Sequence, residues 1–457
     1  MSALRGCLIW AALALAAGTS SPVRAEQLTA AQMRAAAVVA LDSGRPQVAL
    51  ALSRALLTRD PDDLMALLAQ ARAARDMGRF ALAETAARRA WALSDTDGER
   101  YDSARMLAQV LSSQGQRTRA QLWLRRAVQN APDPATRAQA VRDFTYVRAR
   151  NPLKLNLSFA ASPESNINNG SIRDETQVFD FFSQQYIVAD LSGGALALSG
   201  LEARAGLDLR YTLSESPRHR TDLVLQAGMR RYHLSDSAKA AAPAVSASDF
   251  AYDNLDIGLQ HRWRQDGWGE MQMGLLAGGA RYGGQAYSQR LRLDTGLSRP
   301  LGPQARMTLS FGAEATRGPR APHADLLRMG LDLTRRTGNG GQLTGFVTLT
   351  TSQSAAEAAD FTEAQLGLET RPAWKMFGSA PTLGLALRWR DYDSYVLFSP
   401  DGRQDREASA YIKVRFAGAE YMGFTPSLTI SASRTDSSIG LFDVDRTGVA
   451  LGIESAF

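Results

Sequence analysis

Hydrophobic positions recur with two different periods along this chain. From about residue 30 to 150 they follow the spacing of amphipathic helices, and from Leu153 onward they alternate with period two. Leu153, Leu155, Leu157 and Phe159 alternate with Lys154, Asn156 and Ser158. Leu201, Ala203, Ala205, Leu207, Leu209 and Tyr211 interleave with Glu202, Arg204, Asp208 and Arg210. Met307, Leu309, Phe311 and Ala313 alternate with Arg306, Thr308, Ser310 and Glu314, and the chain ends on Val449, Leu451, Ile453, Ser455 and Phe457. About fourteen such runs begin near residues 153, 194, 221, 250, 268, 286, 305, 324, 342, 361, 382, 407, 425 and 445, most of them near the roughly 9–11 residues of a tilted membrane-spanning strand.

The helical half is repetitive. Gly44, Gly78 and Gly115 lie 34 and then 37 residues apart. Seven positions before each glycine stands Ala37, Ala71 or Ala108, and five after each stands Ala49, Ala83 or Ala120. Leu56, Ala90 and Ala127 follow at twelve positions, and Pro61, Asp95 and Pro132 at seventeen. Glycine permits a tight turn between two helices, small alanines let the helices approach, and Pro or Asp ends the second helix. The spacing resembles the tetratricopeptide repeat, without the bulky aromatics of that repeat's first helix and with three extra residues in the second unit. A segment from Pro134 to Arg148, with Val141, Phe144 and Val147 on one side, is expected to cap the stack. Such stacks bind extended peptides or helices, so this half is expected to bind protein. Trp123 and the arginines are expected in the core and on the solvated surface.

Two features set the compartment. Arg5, the apolar run Cys7 to Gly18, and Val23-Arg24-Ala25 before Glu26 have the three-part order of a cleaved signal peptide. Cys7 is the single cysteine, so the mature protein would be cross-linked by no disulfide. Loop lengths give the orientation. The long connections near 162–193, 235–249 and 391–406 all join odd to even strands. Gln265-Asp266-Gly267, Pro300-Leu301-Gly302-Pro303 and Gly338-Asn339-Gly340-Gly341 join even to odd ones, and the connection 371–381 is longer than this rule expects. Short periplasmic turns and longer outer loops are the habit of outer-membrane barrels. Aromatics near strand ends (Trp263, Trp268, Tyr282, Trp389, Tyr392, Phe416 and Tyr421) suit an interfacial girdle. A soluble sandwich or solenoid would need a dry core between sheets, whereas here the face opposite the apolar one is charged on strand after strand. The expected architecture is therefore a signal peptide over 1–25, a periplasmic helical-repeat domain over 26–150, and a 14-stranded transmembrane antiparallel β-barrel over 151–457 in the outer membrane.

Charge and candidate chemistry narrow the function. The net charge is +6, with acidic residues interspersed and no basic run interleaved with aromatics, which argues against nucleic acid. His219, His233, His261 and His323 are not at ligand spacing. No Gly-x-Ser-x-Gly elbow marks a nucleophile, and the paired glycines Gly193-Gly194, Gly278-Gly279 and Gly283-Gly284 lack the helix and lysine of a phosphate loop. Neither catalysis nor a cofactor or metal is expected. The inward set mixes Glu202, Arg204, Asp208, Arg306, Glu314, Arg328, Asp332, Glu363, Arg446 and Glu454, which weakens a conduit for a charged polysaccharide.

After the first strand comes Pro163-Glu164-Ser165-Asn166-Ile167-Asn168-Asn169. This stretch resembles the Pro-x-Ser-Asn-Ile-Asn signature of the surface lipoprotein assembly modifier (Slam) family, in which tetratricopeptide-type periplasmic repeats precede a 14-strand outer-membrane barrel. The resemblance implies delivery of client proteins, either surface lipoproteins or secreted haem- and metal-scavenging proteins, to the cell surface. The partners it implies are the client, periplasmic chaperones, the barrel-assembly machinery and outer-membrane lipid. Phe457 resembles the terminal residue that the assembly machinery reads. The competing function is an exopolysaccharide export porin whose repeats dock a biosynthetic complex. Pro163, Ser165, Asn166, Ile167 and Asn168 are the candidate client-path residues. If the register of the first strand continues, Asn156, Ser158, Ser162, Glu164, Asn166 and Asn168 form an inward polar ladder with Ile167 outward; the alternative is an Asx-rich turn.

Overall fold

The computed structural model describes residues 28–396 and 398–455. The signal-peptide segment and Phe457 lie outside the described residues. The chain divides between Thr136 and Arg137 into two compact units.

Among the described residues seven helices come first: α1 (Ala30–Asp42), α2 (Pro46–Arg59), α3 (Leu64–Asp76), α4 (Phe80–Leu93), α5 (Asp97–Ser113), α6 (Arg117–Gln129) and α7 (Pro134–Arg150). Their starts are chemically marked. Thr29 with Gln32, and Thr96 with Glu99, form reciprocal capping boxes, Asp63 caps α3 through the Ala66 amide, and Pro46 opens α2. Gly44, Gly78 and Gly115 end the first helix of each hairpin with φ of 66°, 72° and 78°, the left-handed conformation that a Cβ disfavours. Every alanine at the repeated positions is buried: Ala37, Ala71 and Ala108, then Ala49, Ala83 and Ala120, then Ala90 and Ala127. The spacing in the sequence is therefore the packing interface of three consecutive helical hairpins. Trp123 is half-buried, edge-on to Trp91 at 5.1 Å and beneath the Arg126 guanidinium at 4.2 Å.

Sixteen strands follow among the described residues. They are β1 (Leu153–Glu164), β2 (Glu175–Asp180), β3 (Gln185–Asp190), β4 (Gly200–Glu215), β5 (His219–Leu234), β6 (Tyr252–Gln265), β7 (Gly269–Tyr282), β8 (Gln285–Pro300), β9 (Ala305–Arg317), β10 (Ala324–Arg336), β11 (Gln342–Ser354), β12 (Phe361–Arg371), β13 (Thr382–Tyr392), β14 (Arg403–Arg415), β15 (Phe424–Ser437) and β16 (Val444–Ser455). Fourteen of them close into an antiparallel barrel in the order β1-β16-β15-β14-β13-β12-β11-β10-β9-β8-β7-β6-β5-β4. The other two, β2 and β3, pair with each other as a separate hairpin between β1 and β4 in the chain. The period-two reading treated 162–193 as one connection and missed this hairpin, because its six-residue strands are too short for a membrane crossing.

The barrel is polar inside and apolar outside. Leu155, Ile257, Leu275, Leu385 and Leu451 are each at least half exposed, while Glu202, Asp222 and Asp256 on the opposite faces are fully or nearly fully buried. This inversion of a soluble core is the surface of a protein that crosses a membrane by strands. Its strands run from 11 to 16 residues, which at roughly 3.3 Å per residue and a tilt near 45° gives a rise of about 25–37 Å against a hydrocarbon core of about 30 Å. No described helix is long and apolar enough to cross a membrane.

We call the end where β1 starts and β16 finishes the near end, and the opposite one the far end. Long connections gather at the far end as the loop-length reading expects. They pack as two apolar clusters, one of Ile167, Leu198, Leu234, Ala238 and Ala242, the other of Tyr392, Tyr395 and Ile439. The second corrects one girdle assignment. Tyr392 is buried, not interfacial, and its hydroxyl accepts a hydrogen bond from Arg390 at 3.1 Å. Trp268, Tyr282, Trp389 and Tyr421 are exposed, as a girdle requires.

Candidate functional site

The barrel closes where β1 meets β16, and this seam differs from its neighbours. On the β4 side every residue from Leu153 to Glu164 has a cross-strand partner. On the β16 side the register comprises Phe159↔Ile453, Ala160↔Gly452, Ala161↔Leu451 and Glu164↔Gly448. Pro163 interrupts the ladder because it has no N–H to donate. Leu153 to Ser158, at the near end, have no partner in β16 among the described residues.

Beyond Pro163 the candidate residues take over from the ladder. Ser165 N donates to Thr447 O at 3.0 Å, but the Thr447 amide donates to the Ser165 hydroxyl at 2.8 Å. Asn166 is fully buried. Its Nδ2 donates to Gly170 O at 2.8 Å and to Asp445 O of β16 at 3.3 Å, and its Oδ1 accepts from the Gly170 amide at 2.9 Å. Glycine is required at 170, since a Cβ there would collide with the Leu196 carbonyl. Asn168 Nδ2 donates to the carbonyls of Gly194 and Leu196, each at 2.8 Å, and its Oδ1 accepts from Leu198 N at 2.8 Å. Asn169, with φ of 52°, accepts from Arg446 at 3.3 Å.

These contacts decide between the two sequence readings. The inward ladder holds through Ser162 and Glu164, both buried. It then ends, because Asn166 and Asn168 fold back onto main-chain groups of the loop instead of lining an open wall. Ile167 is not outward: it is 4 % exposed and packs on Leu198, Leu234, Ala238 and Ala242. The motif is an Asx-rich turn that fastens the first loop to β16. The Ser165 hydroxyl and the Asn166 amide take up the Thr447 amide and the Asp445 carbonyl of β16, where the ladder is interrupted, and Asn168 ties the turn to the segment before β4.

A charged network lies beneath the turn, inside the barrel. Glu164 accepts from Ser162 at 2.8 Å and lies 3.3 Å from Arg446 and 3.5 Å from Arg204. Gly448 makes room for it, since a Cβ there would be 2.6 Å from the Glu164 carboxylate. Glu202, on β4, pairs with Arg204 and lies 3.9 Å from Arg230 and 4.0 Å from Arg446. One cross-seam cluster thus links β16, β1, β4 and β5. The sequence reading placed Glu164 and Arg446 inward but gave no sign that they meet. They stand on the first and last strands, and only closure of the barrel joins these.

Two further charged sectors line the lumen among the described residues. On β5 to β8, Asp222 bonds Arg220 at 2.8 Å and Arg262 at 2.9 Å, and Asp256 pairs with Arg290. On β12 to β14, Glu363 pairs with Arg390, Arg388 with Glu407, and Arg403 with Asp405. Between these sectors, the inward positions of β15 are Thr425, Ser427, Thr429, Ser431, Ser433, Thr435 and Ser437. Gly448, Ala450 and Gly452 of β16 and Ser158, Ala160 and Ser162 of β1 continue this surface. The wall beside the seam is small and uncharged over its middle, between the Glu164–Arg446 cluster toward the far end and the Lys413–Glu454 pair toward the near one. No group of metal-ligating side chains occurs among the described residues.

No protein-family model matches the chain, and no curated protein is significantly similar to it. Among solved structures, Acinetobacter baumannii OccAB3 aligns with 66 % of this chain and 98 % of its own at 7 % identity and a TM-score of 0.35. The Yersinia enterocolitica type III secretion translocator chaperone SycD aligns with 29 % of this chain and 94 % of its own at 17 % identity and a TM-score of 0.24. Thermobaculum terrenum O-GlcNAc transferase aligns with 26 % of this chain and 23 % of its own at 25 % identity and a TM-score of 0.23. Likenesses this distant carry no functional conclusion, which rests on the geometry of the barrel.

Proposed function

We propose that this chain is an outer-membrane translocator that delivers client proteins to the cell surface, with the helical repeats in the periplasm gathering the client. One observation carries the reading: among the described residues the β1–β16 seam is held by a short stretch of ladder and by the side chains of the Pro-x-Ser-Asn-Ile-Asn turn, beside the small, uncharged wall of the lumen. A wall that parts needs a boundary whose bonds are few and exchangeable, and a polypeptide in transit needs a surface without fixed charge to hold it. The same motif carries the resemblance to the Slam family, and the client class it suggests is a surface lipoprotein or a secreted haem- or metal-scavenging protein. Translocation of this kind uses no cofactor.

The Ser and Thr wall of β15 favours one second reading, export of a neutral polysaccharide, because hydroxyls exchange hydrogen bonds with sugars as readily as with water. Surface proteins and surface glycan compared in cells with and without the chain separate the two. Loss of a particular surface protein with glycan unchanged supports delivery, and loss of glycan alone sinks it. Removing residues 30–150 is expected to leave the barrel inserted while abolishing display; unimpaired display would remove the role given to the repeats.

A further inference from the structure

The hairpin of β2 and β3 has no place in the barrel wall, and one of its edges is bare among the described residues. Leu191 N donates to Asp174 O at 2.6 Å, which marks that pair as hydrogen-bonded. Alternation along an antiparallel pair then turns the main-chain groups of Glu175, Gln177 and Phe179 on β2, and of Tyr186, Val188 and Asp190 on β3, away from the partner strand. On the β2 side the loops reach the edge: Phe179 N donates to Phe398 O at 3.2 Å, and Leu441 N donates to the side-chain hydroxyl of the neighbouring Thr176 at 3.0 Å. On the β3 side the Tyr186 hydroxyl meets Ser399 at 3.2 Å, but no protein group among the described residues meets the outward main chain.

This edge lacks the usual protection. Exposed edge strands are ordinarily blunted by Pro, Lys, a bulge or a covering loop. The segment Gln185-Tyr186-Ile187-Val188-Ala189-Asp190 has none of these, and is uncharged and strongly β-prone at its centre. Tyr186, Ile187 and Val188 are about half exposed or more, at 47 %, 51 % and 62 %, and Phe182 at the tip is fully exposed. The hairpin is also uniformly acidic. Asp174, Glu175, Asp180 and Asp190 lie in a stretch with no Lys or Arg between Asp174 and Asp190. Such a charge repels a second copy of the same edge and attracts a basic one.

We propose that the outer edge of β3 is a docking site for an extended strand of a partner polypeptide, apolar at its centre and flanked by Lys or Arg. Main-chain hydrogen bonds to Tyr186 and Val188 supply affinity without demanding one sequence, and the acidic ends of the hairpin select for charge. The proposal rests on the preceding reading only in taking the far end as the outer surface; the binding itself requires no transport.

The test uses the full chain in detergent micelles or nanodiscs, titrated with a synthetic peptide alternating valine and threonine between terminal lysines. The lysine-ended peptide is expected to bind, and a glutamate-ended peptide of the same core is not. Val188→Pro removes an outward N–H without removing a β2–β3 bond, and is expected to weaken binding roughly tenfold or more. Glu175→Gln with Asp190→Asn keeps the edge and is expected to weaken binding several-fold and flatten its salt dependence. Barrel folding of each variant is checked by its heat-dependent gel mobility. Failure of the lysine-ended peptide to bind, equal affinity for Val188→Pro, or equal binding of the glutamate-ended peptide overturns the proposal. So does disulfide dimer formation by Val188→Cys without peptide, which would make the edge a contact between copies. Unchanged surface proteins in cells lacking the chain, with peptide binding intact, would remove the transport reading alone.

Discussion

Ser165 and Thr447 face each other across the closing seam, and one of the two hydrogen bonds joining them uses a side chain where a regular ladder uses a carbonyl. The Thr447 amide donates to Ser165 Oγ at 2.8 Å, while Ser165 N donates to Thr447 O at 3.0 Å. Ser165→Ala is expected to leave the Thr447 amide without its protein acceptor. The cost at this exposed position is about 0.5–1.5 kcal/mol, and it should appear as faster hydrogen exchange at Thr447 with little change at β9 and β10. Unchanged exchange at Thr447 would mean that the hydroxyl does not hold the seam.

The same pair offers a lock. The only cysteine of the chain is Cys7, in the expected signal peptide, so Ser165→Cys with Thr447→Cys introduces a single cross-strand disulfide between two residues that already bond each other. Under oxidising conditions client display should stop, and reduction should restore it. Full display by the oxidised double variant would show that the route does not require this part of the seam to open.

Gly448 seats the Glu164 carboxylate. Gly448→Ala places a Cβ 2.6 Å from it, which drives the carboxylate off Arg446 and destabilises the closed barrel by about 1–3 kcal/mol. Adding Glu164→Ala should recover part of that loss, because the clash disappears with the side chain. Thermal unfolding of the single and double variants measures both; additive losses would show that Gly448 acts through something other than Glu164.

Acid should weaken the helical repeats. The Asp133 carboxylate is held below its ordinary range by the amides of Thr136 and Ala135, and Glu99 by the amides of Thr96 and Asp95. Burial of Glu84 works to raise it, but hydrogen bonds from Arg88 and Gln114 with the charge of Arg119 outweigh this and lower it. A carboxylate depressed in the folded state contributes stability that is complete above its unfolded value and lost as pH falls through the folded one. Helical thermal stability should therefore be level from pH 7 to about 5 and fall below about pH 4. A fall between pH 7 and about 5 would assign the loss to other groups.

Much of the fold was legible because its determinants are local. Strand beginnings at 153, 305, 324, 342, 361 and 382 agree with those read from alternation, since a strand between lipid and a hydrated lumen must change polarity at every residue. The buried alanines and left-handed glycines of the repeats were legible for a similar reason: one helical hairpin repeats one packing problem. The motif was found but its geometry was not. Pro163 breaks the register, and beyond a break the period-two rule no longer says which way Asn166 or Ile167 points.

By itself, then, the sequence determined the helical hairpins, the membrane-crossing strands and the alternation of their faces, all of which follow from periodicities within a few residues. Only the tertiary structure decided that Ile167 is buried under the far-end loops, that Glu164 meets Arg446 and Arg204, that Ser165 replaces a carbonyl for Thr447, and that β3 keeps a bare edge. Each of these depends on which distant strand or loop lies alongside. In a closed barrel that is settled by the joining of its first and last strands, a contact that no local pattern encodes.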